Sequence, residues 1–138
     1  MTRWPRRSEV VLDREYGGTT GTLRVARTEM TGCLNERGVD QDLRERAELV
    51  LSELAANAVQ ASPGDPFGLR LTIGNDGAVI VAVTSHTSNG SPPPREHWGP
   101  ATLLAPRGRG LMIVDELSDQ VVVDKPEPRT VVVTATLR

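Results

Sequence analysis

Leu43, Ala47, Val50, Leu51, Leu54, Ala58 and Ala61 recur at steps of three and four, and no other feature of the sequence restricts the fold as tightly. That spacing lines the side chains along one face of an α-helix and leaves charged and polar residues on the other. Asp40 stands where an N-cap belongs, and Pro63-Gly64-Asp65-Pro66 stops the run, so a long amphipathic helix is predicted between them. Such a helix has to bury its stripe against a second layer. The sequence supplies one directly afterwards: Leu69, Leu71 and Ile73, then Val79, Val81 and Val83, alternate as half-buried antiparallel strands do, with Asp76-Gly77 as the hairpin turn.

The same two periodicities order the rest of the chain. Ser8 to Arg14 reads as a short strand after a polar, Pro-containing start, Met1 to Arg7, that is expected to fray. Gly17 to Gly21 reads as a turn-rich patch. Leu23, Ala26, Met30, Cys33 and Leu34 then mark a first helix, which Gly38 ends. Ser85 to Arg107, with three consecutive prolines at Pro92 to Pro94, is too broken for a regular element and reads as a long loop. Leu111, Ile113, Val114 and Leu117 follow at helical spacing, and Val121 to Val123 and Val131 to Thr136 close the order as two strands. The order β-α-α-β-β-loop-α-β-β gives an α+β fold, a two-layer α/β sandwich with a mixed, mostly antiparallel sheet and helices on one face. A doubly covered parallel sheet would be more continuously apolar.

The 138 residues suffice for one domain, expected to span 1–138. Sixteen basic against eighteen acidic residues leave a formal charge of -2, without the basic footprint of a direct nucleic-acid binder. No apolar run is long enough to span a bilayer and no apolar segment follows the charged start, so a cytoplasmic protein without a membrane is expected. Cys33, the single cysteine, excludes an internal disulfide and a cysteine zinc site, and reads as a small buried hydrophobe. His86 and His97 have no third ligand at a recognised spacing and read as loop histidines, with Trp98 as a loop anchor.

Two segments carry candidate chemistry. Glu53 and Asn57 are four apart on the long helix and share one face, off the strongest apolar stripe. A carboxylate there can accept a proton, and an amide oxygen beside it is a hard ligand suited to Mg²⁺. Taken alone, such a pair is more often a solvated helix face. Gly108-Arg109-Gly110 stands before the third helix, where glycines let backbone approach a phosphate and Arg107 and Arg109 add positive charge. A short glycine pair alone is weak evidence.

Together, E-L-A-A-N-A from Glu53 to Ala58 and G-R-G-L-M-I-V-D-E-L-S-D from Gly108 to Asp119, separated by a hairpin and a long loop, resemble the N-box and the second glycine box of the GHKL, or Bergerat-fold, ATP-binding domains. The resemblance covers nearly the whole chain and is specifically to the small bacterial anti-sigma factor serine kinases. It implies ATP and Mg²⁺ as cofactors, Asn57 on Mg²⁺, Glu53 as the catalytic acid/base group, and Ser85 to Arg107 as the ATP lid. Arg107, Gly108, Arg109, Gly110 and Leu111 would form the glycine box. It also implies partner switching: a sigma factor held silent, and an antagonist protein bound and phosphorylated on serine. Arg27, on the first helix, matches a family arginine at the surface both partners share; a solvated helix arginine is the competing reading. Relatives commonly form homodimers, here through apolar residues exposed on the first strand or a sheet edge.

One departure divides the functional readings. The family places an Asp at the end of the second hairpin strand to read the adenine amino group, and here that place is Ser85. The following glycine is absent too, and Asp76-Gly77 occupies the turn instead. Gln60, Ala61 and Ser62 also stand where many relatives carry basic residues or histidine. Two functions stay open on these residues. One is an anti-sigma-type regulator that phosphorylates its antagonist with ATP, and the other is a degenerate domain that binds protein without nucleotide.

Overall fold

Each apolar periodicity becomes one layer of the fold. The computed structural model describes residues 8–86 and 106–138. The elements are β1 (Glu9–Gly18), α1 (Thr20–Glu36), α2 (Gln41–Ala61), β2 (Gly64–Ile73), β3 (Val79–His86), α3 (Pro106–Leu117), β4 (Gln120–Glu127) and β5 (Thr130–Leu137). The strands form one sheet in the order β1-β2-β3-β5-β4. Every pairing is antiparallel, so the sheet is not mixed among the described strands.

α2 lies across the sheet, with its stripe residues Ala47, Val50, Leu51, Leu54 and Ala58 buried against the alternating residues of β2, β3 and β5. α1 and α3 pack on either side of it, through Ala26, Met30 and Leu34 on one and Leu111 and Val114 on the other. Phe67, Leu69 and Leu71 of β2 and Val79, Val81 and Val83 of β3 all turn to the helices. The α+β sandwich with helices on one face is therefore as read from the sequence. Asp40 is the N-cap of α2, its carboxylate accepting from the Asp42 amide at 3.2 Å. Cys33 is half-buried beside the core and donates to the Val11 carbonyl at 3.6 Å, and burial pushes its thiol above the ordinary value.

Several boundaries differ from the sequence reading. β1 runs on to Gly18 instead of stopping at Arg14, because Gly17 and Gly18 continue the strand and Gly18 pairs with Gly64. Thr19 then caps α1 in a box with Thr22. Pro63 to Pro66 does more than stop α2, since β2 already begins at Gly64. The β2–β3 turn is closed by Gly77 N–H on the Gly74 carbonyl at 3.0 Å, with Gly77 at φ +87°, a conformation glycine adopts without a Cβ penalty.

Gly18 is required by a close approach. A Cβ there would lie 2.2 Å from the Asp65 carbonyl oxygen and 2.9 Å from its nitrogen, both backbone atoms that cannot swing aside. At Gly17 an added Cβ would meet only the Thr22 methyl at 3.6 Å. Gly18→Ala is therefore expected to lower the unfolding free energy by about 1–3 kcal/mol, while Gly17→Ala stays near neutral. Denaturant titration of the two variants beside the parent checks the difference.

Candidate functional site

One end of the sheet gathers the segments of α2, β3 and α3 singled out from the sequence. α2 begins at the opposite end, where Arg46 donates to the Arg138 carbonyl at 2.8 Å, so its C-terminal half, with Glu53 and Asn57, reaches toward the end where β2 starts. β3 finishes there, since Thr84 pairs with Gly68 near the start of β2. α3 runs back from the same end: its C-terminus meets β4 at the far side, where the Asp119 amide donates to the Thr136 carbonyl at 2.8 Å. The end of α2, the end of β3 and the start of α3 thus converge.

Glu53 and Asn57 are half-buried neighbours on α2, flanked by the buried Leu54, Ala55 and Ala58. Core residues on both sides hold the helix against the sheet and set the direction of the polar pair. Asn57 Nδ2 is buried and has no hydrogen-bond partner among the described residues. An unpaired buried polar atom costs on the order of 1–3 kcal/mol, and native structures keep few of them. The other such atom among the described residues is Ser118 Oγ, in the segment between α3 and β4 at the far end. Only Asn57 stands where the candidate segments meet. Its amide, next to a carboxylate on one helix face, offers a hard oxygen and a spare donor, which fits a magnesium-bound phosphate.

The structure corrects two sequence readings here. The loop assigned to 85–107 is shorter at both ends: Ser85 and His86 belong to β3, opposite Val131 and Thr130, and Pro106 and Arg107 belong to α3. The remainder, with Asn89, Pro92 to Pro94, His97 and Trp98, lies outside the described residues, as do Met1 to Arg7. Gly108, Arg109 and Gly110 do not precede the third helix but lie in its opening turns, because Pro106 starts it; proline suits the first helical position, where its missing N–H leaves nothing unpaired. Leu111, the last residue of the proposed glycine box, is buried against the core.

Ser85 lies two residues beyond the buried Val83, so the pleat turns it to the helix-covered face, half-buried and level with Val131. It brings a hydroxyl and no charge to the point where the strand leaves the core.

Arg27 is half-buried in the groove between α1 and α2, beside Glu45, Glu48 and the exposed Leu49. Among the described residues no hydrogen bond or ion pair holds it. Across the same groove the Thr31 hydroxyl donates to Glu48 Oε2 at 3.4 Å. Arg27 lies on the outer side of the helix layer, away from the sheet, and is a separate surface from the Glu53–Asn57 end.

A cluster the sequence reading missed fixes α1 to the sheet edge. The Tyr16 hydroxyl donates to Glu29 Oε1 at 2.6 Å, Arg14 donates to Glu29 Oε2 at 2.7 Å, and the Arg14 guanidinium lies 5.2 Å from the Tyr16 ring centre. Tyr16 also stacks on Phe67 at 5.6 Å. Burial, and then the Glu29 carboxylate, push the Tyr16 hydroxyl well above its ordinary pKa, so it stays a donor. Nothing in the spacing of Leu12, Arg14 and Tyr16 announces this, because a charged residue in the middle of a core-facing triplet reads as a broken strand.

The profile of the histidine kinase-like ATPase domain family matches residues 18–137. No curated protein matches the sequence. Among solved structures, a chain of the SiaB–SiaC complex from Pseudomonas aeruginosa superposes with a TM-score of 0.74 at 11% identity, over 93% of this chain and 89% of that one. The structure of the RsbU and RsbW domains of Rv1364c from Mycobacterium tuberculosis gives a TM-score of 0.68 at 19% identity, over 92% of this chain. This chain spans 32% of that longer one. At these identities the two likenesses show the fold. Among the described residues no helix is long and apolar enough to cross a membrane.

Proposed function

We propose that this chain, which belongs to the histidine kinase-like ATPase domain family, is an anti-sigma-type regulator that binds a sigma factor, its antagonist protein, or both in turn, and phosphorylates the antagonist on serine with ATP. The observation that carries the reading is the half-buried Asn57, whose buried amide nitrogen has no partner among the described residues, beside Glu53 at the end where α2, β3 and α3 meet. The family implies ATP, usually with Mg²⁺. The two matched structures support the partner-binding half, one being a two-protein complex and the other a chain that joins an RsbW domain to an RsbU domain.

Mg-ATP, when bound, would supply the phosphoryl group, with the metal ion offsetting its charge. Asn57 would hold the metal through its amide oxygen, and Glu53 would take the proton of an incoming serine hydroxyl. The backbone N–H groups that open α3 have no partner within the helix, and glycine at 108 and 110 leaves room for a phosphate to approach them. Arg107 and Arg109 add positive charge along that segment. Ser85 stands at the base end of the site.

Ser85 also favours a second reading, a module that recognises protein without nucleotide. A hydroxyl in place of a carboxylate at the base removes a charge-assisted hydrogen bond, about 1–3 kcal/mol.

Both readings place a protein partner on the α1–α2 groove. Arg27→Ala is expected to weaken binding to the cognate sigma factor or antagonist at least about tenfold, with the unfolding midpoint unchanged, because no hydrogen bond or ion pair among the described residues is lost. Pairwise titration against the sigma factors and antagonist proteins encoded in the same genome, with a thermal melt alongside, checks it. Unaltered affinity for a partner that binds the parent would remove Arg27 from the interface.

A further inference from the structure

The helix-free face of the sheet is uncharged along its middle and acidic at both sides. From Gly68 to Thr72, Ile80 to Thr84 and Val132 to Thr136, the residues pointing away from the helices are glycine, threonine, alanine, valine and isoleucine, with Arg70 as the one charged residue. Arg70 is itself held by Asp13 of β1 at 3.1 Å.

One row of paired residues crosses the whole face: Glu15, Gly68, Thr84, Val132 and Asp124. Its centre is hollow. The missing side chain of Gly68 leaves a depression of about 200 Å³ lined by Arg70, Ala82, Thr84 and Val132. The fold does not demand glycine there, since an added Cβ would come no nearer than 3.4 Å to Thr84 Cβ, an ordinary contact. Glycine inside a strand weakens it and often marks close approach by another group. The two carboxylates that end the row are exposed, and no hydrogen bond or ion pair holds either among the described residues.

These dimensions fit a helix. Four strand spacings of about 4.8 Å set Glu15 and Asp124 roughly 19 Å apart. A helix lying over β3 is about 10–12 Å wide, and Lys or Arg on its flanks carry their charges further out while their stems cover apolar surface. The eight residues of β3 run about 26 Å, the length of roughly 18 helical residues. Helices on both faces of a sheet are a stable layer arrangement. A second copy of this chain fits poorly: a two-fold axis along β3 would set Glu15 of one copy against Asp124 of the other at both ends of the row, and such like charges repel.

We propose that the helix-free face docks a basic amphipathic helix of a partner protein. The helix lies along β3 with its apolar stripe over Gly68, Ala82, Thr84 and Val132, and Lys or Arg on its two flanks pair with Glu15 and Asp124. The surface is on the opposite side of the sheet from α2 and Arg27 and is independent of the nucleotide reading.

A synthetic helix of that length, with an alanine–leucine stripe bordered by lysine on both sides, tests the proposal when titrated against the full chain without nucleotide by fluorescence anisotropy. Saturable micromolar binding is expected, and the same stripe bordered by glutamate is expected not to bind. Gly68→Leu, which fills the hollow, and Glu15→Lys combined with Asp124→Lys, which reverses the flanks, should each weaken binding at least about tenfold. The reversed flanks are exposed positions, so that variant reads the interface even if Gly68→Leu fails to fold. Glu45→Lys combined with Glu48→Lys, in the α1–α2 groove, should leave the affinity unchanged, which separates this face from general attraction to acidic residues. No saturation by the lysine-bordered helix, equal loss in the groove variant, or full binding by a folded Gly68→Leu overturns the proposal. So does a parent that sediments as a dimer and becomes monomeric in Gly68→Leu, because the occupant is then a second copy.

Discussion

Asn57→Ala is expected to abolish magnesium-dependent nucleotide binding, a loss of more than about 100-fold, without destabilising the domain. Even groups that only orient a metal ligand are worth about 10–100-fold in metal affinity, and an amide in direct contact with the metal is worth at least that. The second half of the expectation follows from the orphaned nitrogen. Asn57 Nδ2 is buried without a partner among the described residues, so alanine removes an unsatisfied group that costs on the order of 1–3 kcal/mol in the unliganded protein. The melting temperature of the variant without ligand should equal or exceed that of the parent. A purely structural asparagine would show the reverse, a lower melting temperature and intact binding. Calorimetric titration with and without Mg²⁺, paired with a thermal melt, separates the two.

Glu53→Gln is expected to lower phosphoryl transfer to an antagonist serine by about 10²–10⁴, the usual contribution of a positioned general base. Glutamine keeps the shape and the neighbour of Asn57 on the same helix face but cannot accept the proton, so Mg-ATP affinity should change by no more than a few-fold. Single-turnover transfer of labelled phosphate, with binding measured on the same sample, distinguishes a lost base from a lost ligand. Equal losses in both would move Glu53 from proton transfer to metal binding.

The layers of this fold were legible because burial imposes two different periods. The stripe from Leu43 to Ala61 could only be a helix resting on something apolar, and the alternation in Leu69–Ile73 and Val79–Val83 could only be that something. Boundaries were less legible, since they depend on contacts between distant segments. Gly17 and Gly18 read as a turn, yet they continue β1 because Gly18 meets the backbone at Asp65, an approach no local pattern encodes. The start of α3 was misplaced for a related reason: Gly108 and Gly110 read as the end of a loop, whereas Pro106 opens the helix ahead of them. The site residues were visible as a spaced set, Glu53 with Asn57 and then the glycine box. What the spacing did not carry is that the end of α2, the end of β3 and the start of α3 lie together at one end of the sheet. The Arg14–Tyr16–Glu29 cluster was invisible, because it joins a strand and a helix through side chains that satisfy one another rather than through any repeat.

A working Mg-ATP site at the end of α2 is tested most directly by isothermal titration of the purified chain with Mg-ATP and Mg-ADP, with Ser85→Asp run beside it. Saturable binding by the parent is expected, and a gain of roughly 5- to 150-fold in the variant as a charged acceptor returns to the adenine end of the site. Absence of binding by the parent would contradict it; recovery in Ser85→Asp would then leave the fold as a nucleotide-independent protein-binding module, and silence in both would remove the site altogether.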